Sequence, residues 1–134
     1  MIKVLLVEDD QNVRAALVRL LERRAPSIGG LTVTEAENGS EAWTMLQAGE
    51  RFNIIISDND MPVMSGLELL TRVHKEDNMR QMCFILVSGM PTVAWDDPRR
   101  LEEVCEERHA LFLQKPFGSE QLLEAIVISL SKAA

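Results

Sequence analysis

Acidic side chains follow two apolar runs of this chain, a placement that suits cation binding or phosphoryl chemistry. Glu8 and Asp9 follow the run IKVLLV, and Asp58 and Asp60 follow the run FNIII. A carboxylate at the end of a buried strand is costly unless a cation or a chemical role offsets it. Clustered carboxylates repel one another and favour a hard divalent cation such as Mg²⁺. A carboxylate that stays free can attack phosphorus and form an acyl phosphate.

Two later apolar runs end in groups that could donate hydrogen bonds to a phosphoryl group. Ser88 and Gly89 follow the run MCFILV, and Lys115 and Pro116 follow the run ALFL. Each pair alone reads equally well as an ordinary turn or loop. Together with the acidic pairs, however, four separate run ends carry suitable residue types. The joint pattern therefore favours one site built from four segments.

Five apolar runs alternate with helical patterns along the whole chain; the fifth is the weaker LTVTEA at 31–36. Continuous apolar runs indicate parallel strands that are covered on both faces. Alternation of strand and helix predicts an α/β sheet with right-handed crossovers. We therefore predict a (βα)₅ fold in a single domain over residues 1–134. In such sheets, sites form outside the carboxyl ends of the strands, where the acidic residues and their donors would converge.

Several residues are typical of helix starts. Asp10 is read as the N-cap of the first helix, Ser40 as the cap of the second, and Ser119 as the cap of the last. Asp97 with Pro98 would open the fourth helix in the same way.

That reading leaves residues 89–97 as a long apolar loop next to Ser88. Long loops beside a site are often functional. We predict that this loop moves when Ser88 turns toward a phosphoryl group, with Trp95 reporting the movement and Trp43 as a spectator.

Composition excludes several classes of protein. The chain has 134 residues and a net charge of −7, which argues against direct nucleic-acid binding. No apolar run approaches the length of a membrane span, and the first run passes directly into acids, unlike a signal peptide. Cys83 and Cys105 are too few for a disulfide framework. We predict a cytoplasmic protein with reduced thiols that binds neither membrane nor nucleic acid.

The segments LLVEDD, DNDMPVMSG, LVSG and LQKPF, in this order over essentially the whole chain, resemble the signatures of the response-regulator receiver domain (CheY-like) of two-component signalling. The resemblance implies a flavodoxin-like three-layer sandwich with parallel strand order 2-1-3-4-5. It also implies a phosphorylation-dependent switch that assists its own phosphorylation and dephosphorylation but is not a turnover enzyme.

The resemblance assigns roles at the acidic strand ends. Asp58 resembles the phosphoacceptor. Glu8 and Asp9 resemble the acidic pair that holds Mg²⁺ together with Asp58, and Asp9 would be a direct ligand. The backbone carbonyl of Asp60 resembles the third protein ligand, although the Asp60 side chain adds a carboxylate where the family varies.

The other strand ends are assigned in the same way. Ser88 resembles the switch hydroxyl, Lys115 the lysine that pairs with phosphate, and Phe112 the aromatic switch residue. The Lys115–Pro116 bond looks like the family's cis bond. Phosphorylation would then switch the surface of helix 4, strand 5 and helix 5. The spacing from Ser88 to Lys115 is longer than usual by about one helical turn, Gly89 stands where alanine is commoner, and tyrosine does not occur.

The implied partners are a sensor histidine kinase or a phosphotransfer protein, together with a downstream effector that the sequence does not identify. The resemblance implies that receivers of winged-helix transcription factors carry charged pairs on the last helix for dimerisation. The last helix of this chain contains no arginine, so we expect a monomer or a weak dimer. Whether the chain stands alone or forms the N-terminal part of a longer protein stays open.

Two alternatives compete with this interpretation. DNDMP resembles the DxDx(T/V) motif of haloacid-dehalogenase-type phosphatases, but that family places its further acidic pair after its lysine, not on the first strand. The second alternative is a degenerate receiver that acts only as a docking module. The intact set of acids, hydroxyl and lysine argues against it.

Overall fold

A parallel five-stranded sheet forms the centre of the computed structural model, which describes residues 1–94 and 96–133. Its strands are β1 (Ile2–Val7), β2 (Leu31–Ala36), β3 (Ile54–Asp58), β4 (Cys83–Ser88) and β7 (Leu111–Gln114), while β5 (Thr92–Ala94) and β6 (Asp97–Arg100) form a separate pair. The strand order is β2-β1-β3-β4-β7. This order confirms the predicted 2-1-3-4-5, because β7 is the fifth strand of this sheet.

In the described part of the chain, five α-helices flank the sheet. The crossover from each strand to the next passes through one of them, as continuous apolar strands require for cover on both faces. They are α1 (Gln11–Arg24), α2 (Gly39–Gln47), α3 (Gly66–Lys75), α4 (Leu101–Glu107) and α5 (Ser119–Ala133). Among the helices of the described residues, none is both long enough and apolar enough to cross a membrane.

The core has two layers, one on each face of the sheet. Alternate residues of a strand point to opposite faces, so Leu5 and Ile55 belong to one layer while Leu6 and Ile54 belong to the other. The first layer contains buried residues of α2, α3 and α4, and the second contains residues of α1 and α5. This packing fixes the strands that carry the acidic residues.

The helix starts agree only in part with the sequence-based predictions. Asp10 caps α1, since its side chain accepts hydrogen bonds from the backbone of Asn12 and Val13. The prediction for Ser40 was wrong: Asn38 caps α2 by accepting a hydrogen bond from Glu41 N. Asparagine and serine are similarly good N-cap residues, so the residue types alone did not distinguish Asn38 from Ser40.

The last helix begins at Ser119, which is its first residue rather than a cap that precedes it. Ser119 Oγ accepts a hydrogen bond from Arg24 Nη2 at 3.0 Å, which ties α5 to α1. The Gln121 side chain reaches back and accepts a hydrogen bond from Gly118 N at 2.8 Å.

The start predicted for the fourth helix was also wrong. Residues Thr92–Ala94 and Asp97–Arg100 form a two-stranded antiparallel sheet, β5 and β6, and α4 begins only at Leu101. Asp97 engages Arg99 instead of a helix: its Oδ1 accepts a hydrogen bond from Arg99 N, and its Oδ2 lies 2.7 Å from Arg99 Nη2. The predicted loop at 89–97 is thus partly a hairpin. The prediction for Trp95 falls outside the described residues.

Candidate functional site

Three carboxylates meet at the carboxyl ends of β1 and β3. These strands are neighbours in the sheet, and Val7 pairs with Ser57, so the next residues, Glu8 and Asp58, lie side by side. One carboxylate oxygen each from Glu8, Asp9 and Asp58 lies within 4.8 Å of the others. Glu8 is 4% exposed and Asp58 5% exposed, whereas Asp9 faces solvent.

Contacts from α1 and from its N-cap hold Glu8 in place. Its Oε1 accepts a hydrogen bond from Asp10 N at 3.2 Å, and its backbone carbonyl accepts one from Arg14 Nη1 at 2.8 Å. Arg14 also forms a salt bridge to Glu35 of β2, with Nε 3.2 Å from Oε1. The sequence analysis did not identify Arg14, which binds three segments together at the rim of the site.

Lys115 supplies a cation to the buried acid. Its Nζ lies 3.1 Å from Asp58 Oδ1. The pairing of β7 with β4 places it there, since Lys115 N donates a hydrogen bond to the carbonyl of Ser88 at 2.9 Å. The bond from Lys115 to Pro116 is cis, as predicted.

The negative charge of Asp58 is only partly balanced by the positive charge of Lys115. Burial raises the pKa of Asp58, although the Lys115 ammonium opposes this shift. Asp58 Oδ1 accepts no well-aligned hydrogen bond from the described residues, despite the proximity of Lys115. Burial, followed by the charges of Asp58 and Asp9, raises the pKa of Glu8 to about 7. Burial acts to lower the pKa of Lys115, but the attraction of Asp58 and Glu8 outweighs it and the pKa is raised.

Ser88 and Asp60 form a second pair of contacts beside the cluster. Ser88 is fully buried, and its Oγ donates a hydrogen bond to Asp60 Oδ2 at 3.1 Å. The same Oγ accepts a hydrogen bond from Met90 N at 3.0 Å. The structure therefore brings the side chain of Asp60 to Ser88; the metal-binding role of the Asp60 carbonyl stays a prediction.

Two residues that the sequence analysis did not single out shape the loop after β3. Asn59 N donates to the Val87 carbonyl at 2.7 Å, and Asn59 Oδ1 accepts from Leu67 N at 2.9 Å. A Cβ on Gly66 would lie so close to the carbonyl oxygen of Asp58 that the backbone would have to shift to admit any side chain. Both residues lie in the segment DNDMPVMSG, whose resemblance to the family signature was the only signal for them, because the residue types alone do not identify these contacts.

Phe112 lies away from the acidic cluster. It pairs with Leu86 in the register of β4 and β7, is half-buried, and packs against the core layer that contains Leu101 and Cys105 of α4. This location couples β7 to α4, which is compatible with the switch role implied by the sequence but does not test it.

The arrangement combines a buried carboxylate, two neighbouring acids, an ammonium group and a hydroxyl. A hard divalent cation suits these oxygen ligands and would offset the repulsion between the acids. The incompletely hydrogen-bonded Oδ1 of Asp58 has acceptor capacity left for such a cation. The same carboxylate could also act as a nucleophile toward phosphorus.

Comparison with known proteins gives a consistent result. The family model for the response regulator receiver domain matches residues 4–127. The response regulator receiver protein CpdR of Brucella abortus is 34% identical over 124 residues, 92% of both chains. A chemotaxis protein CheY homolog of Campylobacter jejuni is 36% identical over 86 residues, which span 64% of this chain and 63% of that relative.

A solved structure shares the fold over its full length. The response regulator protein TrrA of Thermotoga maritima, in complex with Mg²⁺ and BeF, superposes with a TM-score of 0.74 at 25% identity and covers all of both chains. These matches give no support to the alternative of a haloacid-dehalogenase-type phosphatase. Because the family model covers nearly the whole chain, this protein belongs to the response regulator receiver domain family.

Proposed function

We propose that this chain is a two-component or phosphorelay switch that accepts a phosphoryl group on Asp58. The donor would be the phosphohistidine of a sensor histidine kinase or of a phosphotransfer protein. The observation that carries the proposal is the environment of Asp58: a buried carboxylate, 3.1 Å from the Lys115 ammonium and beside Glu8 and Asp9.

In the transfer step, a carboxylate oxygen of Asp58 forms a bond to phosphorus while the bond from phosphorus to the donor nitrogen breaks. Lys115 stabilises the charge on the phosphoryl oxygens during this step. A Mg²⁺ ion held by Glu8, Asp9, Asp58 and the carbonyl of Asp60 would supply further positive charge. Lys115 balances only part of the negative charge around Asp58, which supports the need for this additional positive charge.

Phosphorylation would then act through Ser88 and Phe112. The Ser88 hydroxyl would turn from Asp60 to a phosphoryl oxygen, and Phe112 would adjust with β7. The result would bias the surface formed by α4, β7 and α5 between two states. An effector protein or domain that prefers one state would read the signal.

Labelling with acetyl phosphate and Mg²⁺ tests the proposal directly. We expect intact-mass spectrometry to show one added phosphoryl group per chain, and Asp58→Asn to abolish it. Asp10→Asn is the matched control, because Asp10 caps α1 and asparagine caps equally well. Undiminished labelling of Asp58→Asn would overturn the assignment.

The same material separates a switch from a hydrolase. A switch takes up one phosphoryl group and releases it slowly, whereas a phosphatase would turn over many molecules of a phosphate monoester such as p-nitrophenyl phosphate. We expect no multiple turnover of that ester.

Two further properties belong to the proposal. Cys83 and Cys105 are free thiols, which suits a cytoplasmic protein whose cysteines stay reduced. We also expect a monomer or a weak dimer, which light scattering coupled to size-exclusion chromatography would measure with and without beryllofluoride.

A further inference from the structure

A cavity of about 340 Å³ opens beside the phosphoacceptor, between α1 and the segment that follows β7. Most of its lining is apolar: Val13 and Leu17 of α1 lie on one side and Phe117 on the other. Its volume lies within the range of pockets that bind small molecules. Transfer of a phosphoryl group to Asp58, as proposed above, does not require a cavity of this size.

The cavity is continuous with the reactive groups. Asp58, Glu8 and Lys115 are part of its lining. A ligand could therefore place an anionic head near the Lys115 ammonium and an apolar tail against α1. Val13 is 38% exposed, so the α1 side of the cavity is accessible from solvent.

We propose that this cavity holds the hydrocarbon chain of a small-molecule phosphodonor, and that the protein prefers acyl phosphates with a chain of several carbons to acetyl phosphate. The inference rests on the proposed function, since it names a substrate class for the same carboxylate. Glu8 and Asp58 also line this end of the cavity, so the positive charge for the phosphoryl group would come from Lys115 together with a divalent cation held by the acids. The apolar lining beyond them is the feature that fits the acyl chain.

The reaction would be a simple transfer. A carboxylate oxygen of Asp58 forms a bond to phosphorus, and the bond from phosphorus to the acyl oxygen breaks. The leaving carboxylate keeps the electron pair, so no proton transfer is needed. In an in-line transfer the acyl oxygen leaves on the side of phosphorus opposite Asp58, so the chain would have to turn back beyond the carbonyl carbon to lie along Val13 and Leu17.

The test compares hexanoyl phosphate with acetyl phosphate at equal concentrations in Mg²⁺, with labelling rates followed by intact-mass spectrometry. Each methylene that leaves water fully would favour the longer donor about fourfold. Because the cavity is open to solvent, we expect an overall preference of about tenfold. Hexylphosphonate, which cannot transfer its phosphorus group, should inhibit labelling by acetyl phosphate at a lower concentration than methylphosphonate does.

Variants locate the effect. Val13→Asn should reduce the ratio of the hexanoyl rate to the acetyl rate severalfold, because it places an amide on the apolar side of the cavity. Val127→Asn is the control: Val127 is an exposed valine on α5 that is not part of the cavity lining, and its replacement should leave both rates unchanged. Thermal melts confirm that both variants are folded.

The outcomes separate the two proposals. If neither donor labels the protein, the proposed function fails. If both donors label it at equal rates and Val13→Asn leaves their ratio unchanged, the phosphoacceptor stands and the chain-length preference is overturned.

Discussion

Ser88 Oγ donates a hydrogen bond to Asp60 Oδ2 across 3.1 Å. A carboxylate therefore already accepts a hydrogen bond from the hydroxyl that we propose will donate to the phosphoryl group. The same Oγ accepts a hydrogen bond from Met90 N. Phosphorylation would require Ser88 to exchange one anionic acceptor for another. We therefore expect Asp60 to oppose the active state, both by holding Ser88 and by placing negative charge near the phosphoryl group.

Removing the Asp60 acceptor should favour the active state. We predict that Asp60→Ala binds beryllofluoride in Mg²⁺ about tenfold more tightly than the parent protein, because a hydrogen bond to a charged group contributes roughly 1.5–3 kcal/mol. A fluorescence or NMR titration measures the affinity. We also expect the lifetime of the aspartyl phosphate to change, while labelling of Asp58 remains possible.

Asp60→Asn separates the two effects of this residue. Asparagine removes the charge but keeps an oxygen that can accept the hydrogen bond from Ser88. An affinity between those of the parent and Asp60→Ala would show that both effects operate. Parental affinity and lifetime in both variants would show that the Ser88–Asp60 contact has no role in switching.

Metal binding should depend on pH through Glu8. Its pKa is raised to about 7 by burial and then by Asp58 and Asp9, so the carboxyl is largely protonated at pH 6 and ionised at pH 8. A divalent cation requires the ionised form. We predict that the apparent affinity for Mg²⁺ rises by up to about tenfold per pH unit below 7 and levels off above it, as measured by isothermal titration calorimetry.

The raised pKa of Glu8 also contributes to the pH dependence of stability without Mg²⁺, in the same direction as the raised pKa of Asp58. The folded protein keeps the proton of Glu8 up to about pH 7, whereas the unfolded chain releases it near the usual value of 4.5. The Glu8 contribution is therefore fully present below pH 4.5 and is lost as the pH rises to about 7. It amounts to about 3 kcal/mol at most.

Glu8→Gln isolates this contribution. Burial, followed by the charges of His109 and Arg80, lowers the pKa of His74, which gives a stability term of the opposite sign in a similar pH range. Urea unfolding at pH 5 and at pH 7.5 gives the free energy of unfolding of the parent and of Glu8→Gln. Subtracting one from the other at each pH removes the contribution of His74, which both proteins share. Equal pH slopes for the two proteins would contradict the raised pKa of Glu8.

The strand ends could be predicted from the sequence because two independent signals agree there. A continuous apolar run marks a buried strand, and an acid directly after it marks the end; Asp58 after the three isoleucines of β3 is the clearest case. The parallel arrangement then places Asp58, Glu8 and Lys115 at one edge by topology alone.

The β5–β6 hairpin could not be predicted because its local chemistry is ambiguous. Asp97 followed by Pro98 fits a helix start as well as it fits a strand. The choice was decided by the pairing of Asp97 with Arg99 and by the antiparallel register of Thr92 with Arg100. The long spacing from Ser88 to Lys115 contains this hairpin.

Val63 should limit stability in the loop after β3. Its φ is 70°, a conformation that is strained for a β-branched residue. Val63 is also 84% exposed, so its side chain contributes little packing. We predict that Val63→Gly stabilises the protein by about 1 kcal/mol, measured by urea unfolding. Val127→Gly, at an exposed valine within α5, should destabilise it by a similar amount, and stabilisation by both changes would contradict the strain at Val63.

Gly66 should be the least replaceable glycine near the site. A Cβ there would lie 2.4 Å from the carbonyl oxygen of Asp58 and 2.6 Å from Leu86 Cδ1, so either α3 or the end of β3 must shift. Overpacking of this kind costs about 1–3 kcal/mol. We predict that Gly66→Ala loses this stability in urea unfolding and also slows the labelling of Asp58, because the displaced backbone carries the proposed phosphoacceptor.

Gly118→Ala is the matched control for Gly66. A Cβ at Gly118 would meet nothing closer than Gln121 Oε1 at 3.9 Å, and alanine keeps the N–H that donates to that oxygen. We expect a change within about 0.5 kcal/mol and unchanged labelling. If Gly66→Ala unfolds at the same urea concentration as Gly118→Ala and is labelled at the same rate, then the contact between α3 and the end of β3 is looser than the structure indicates.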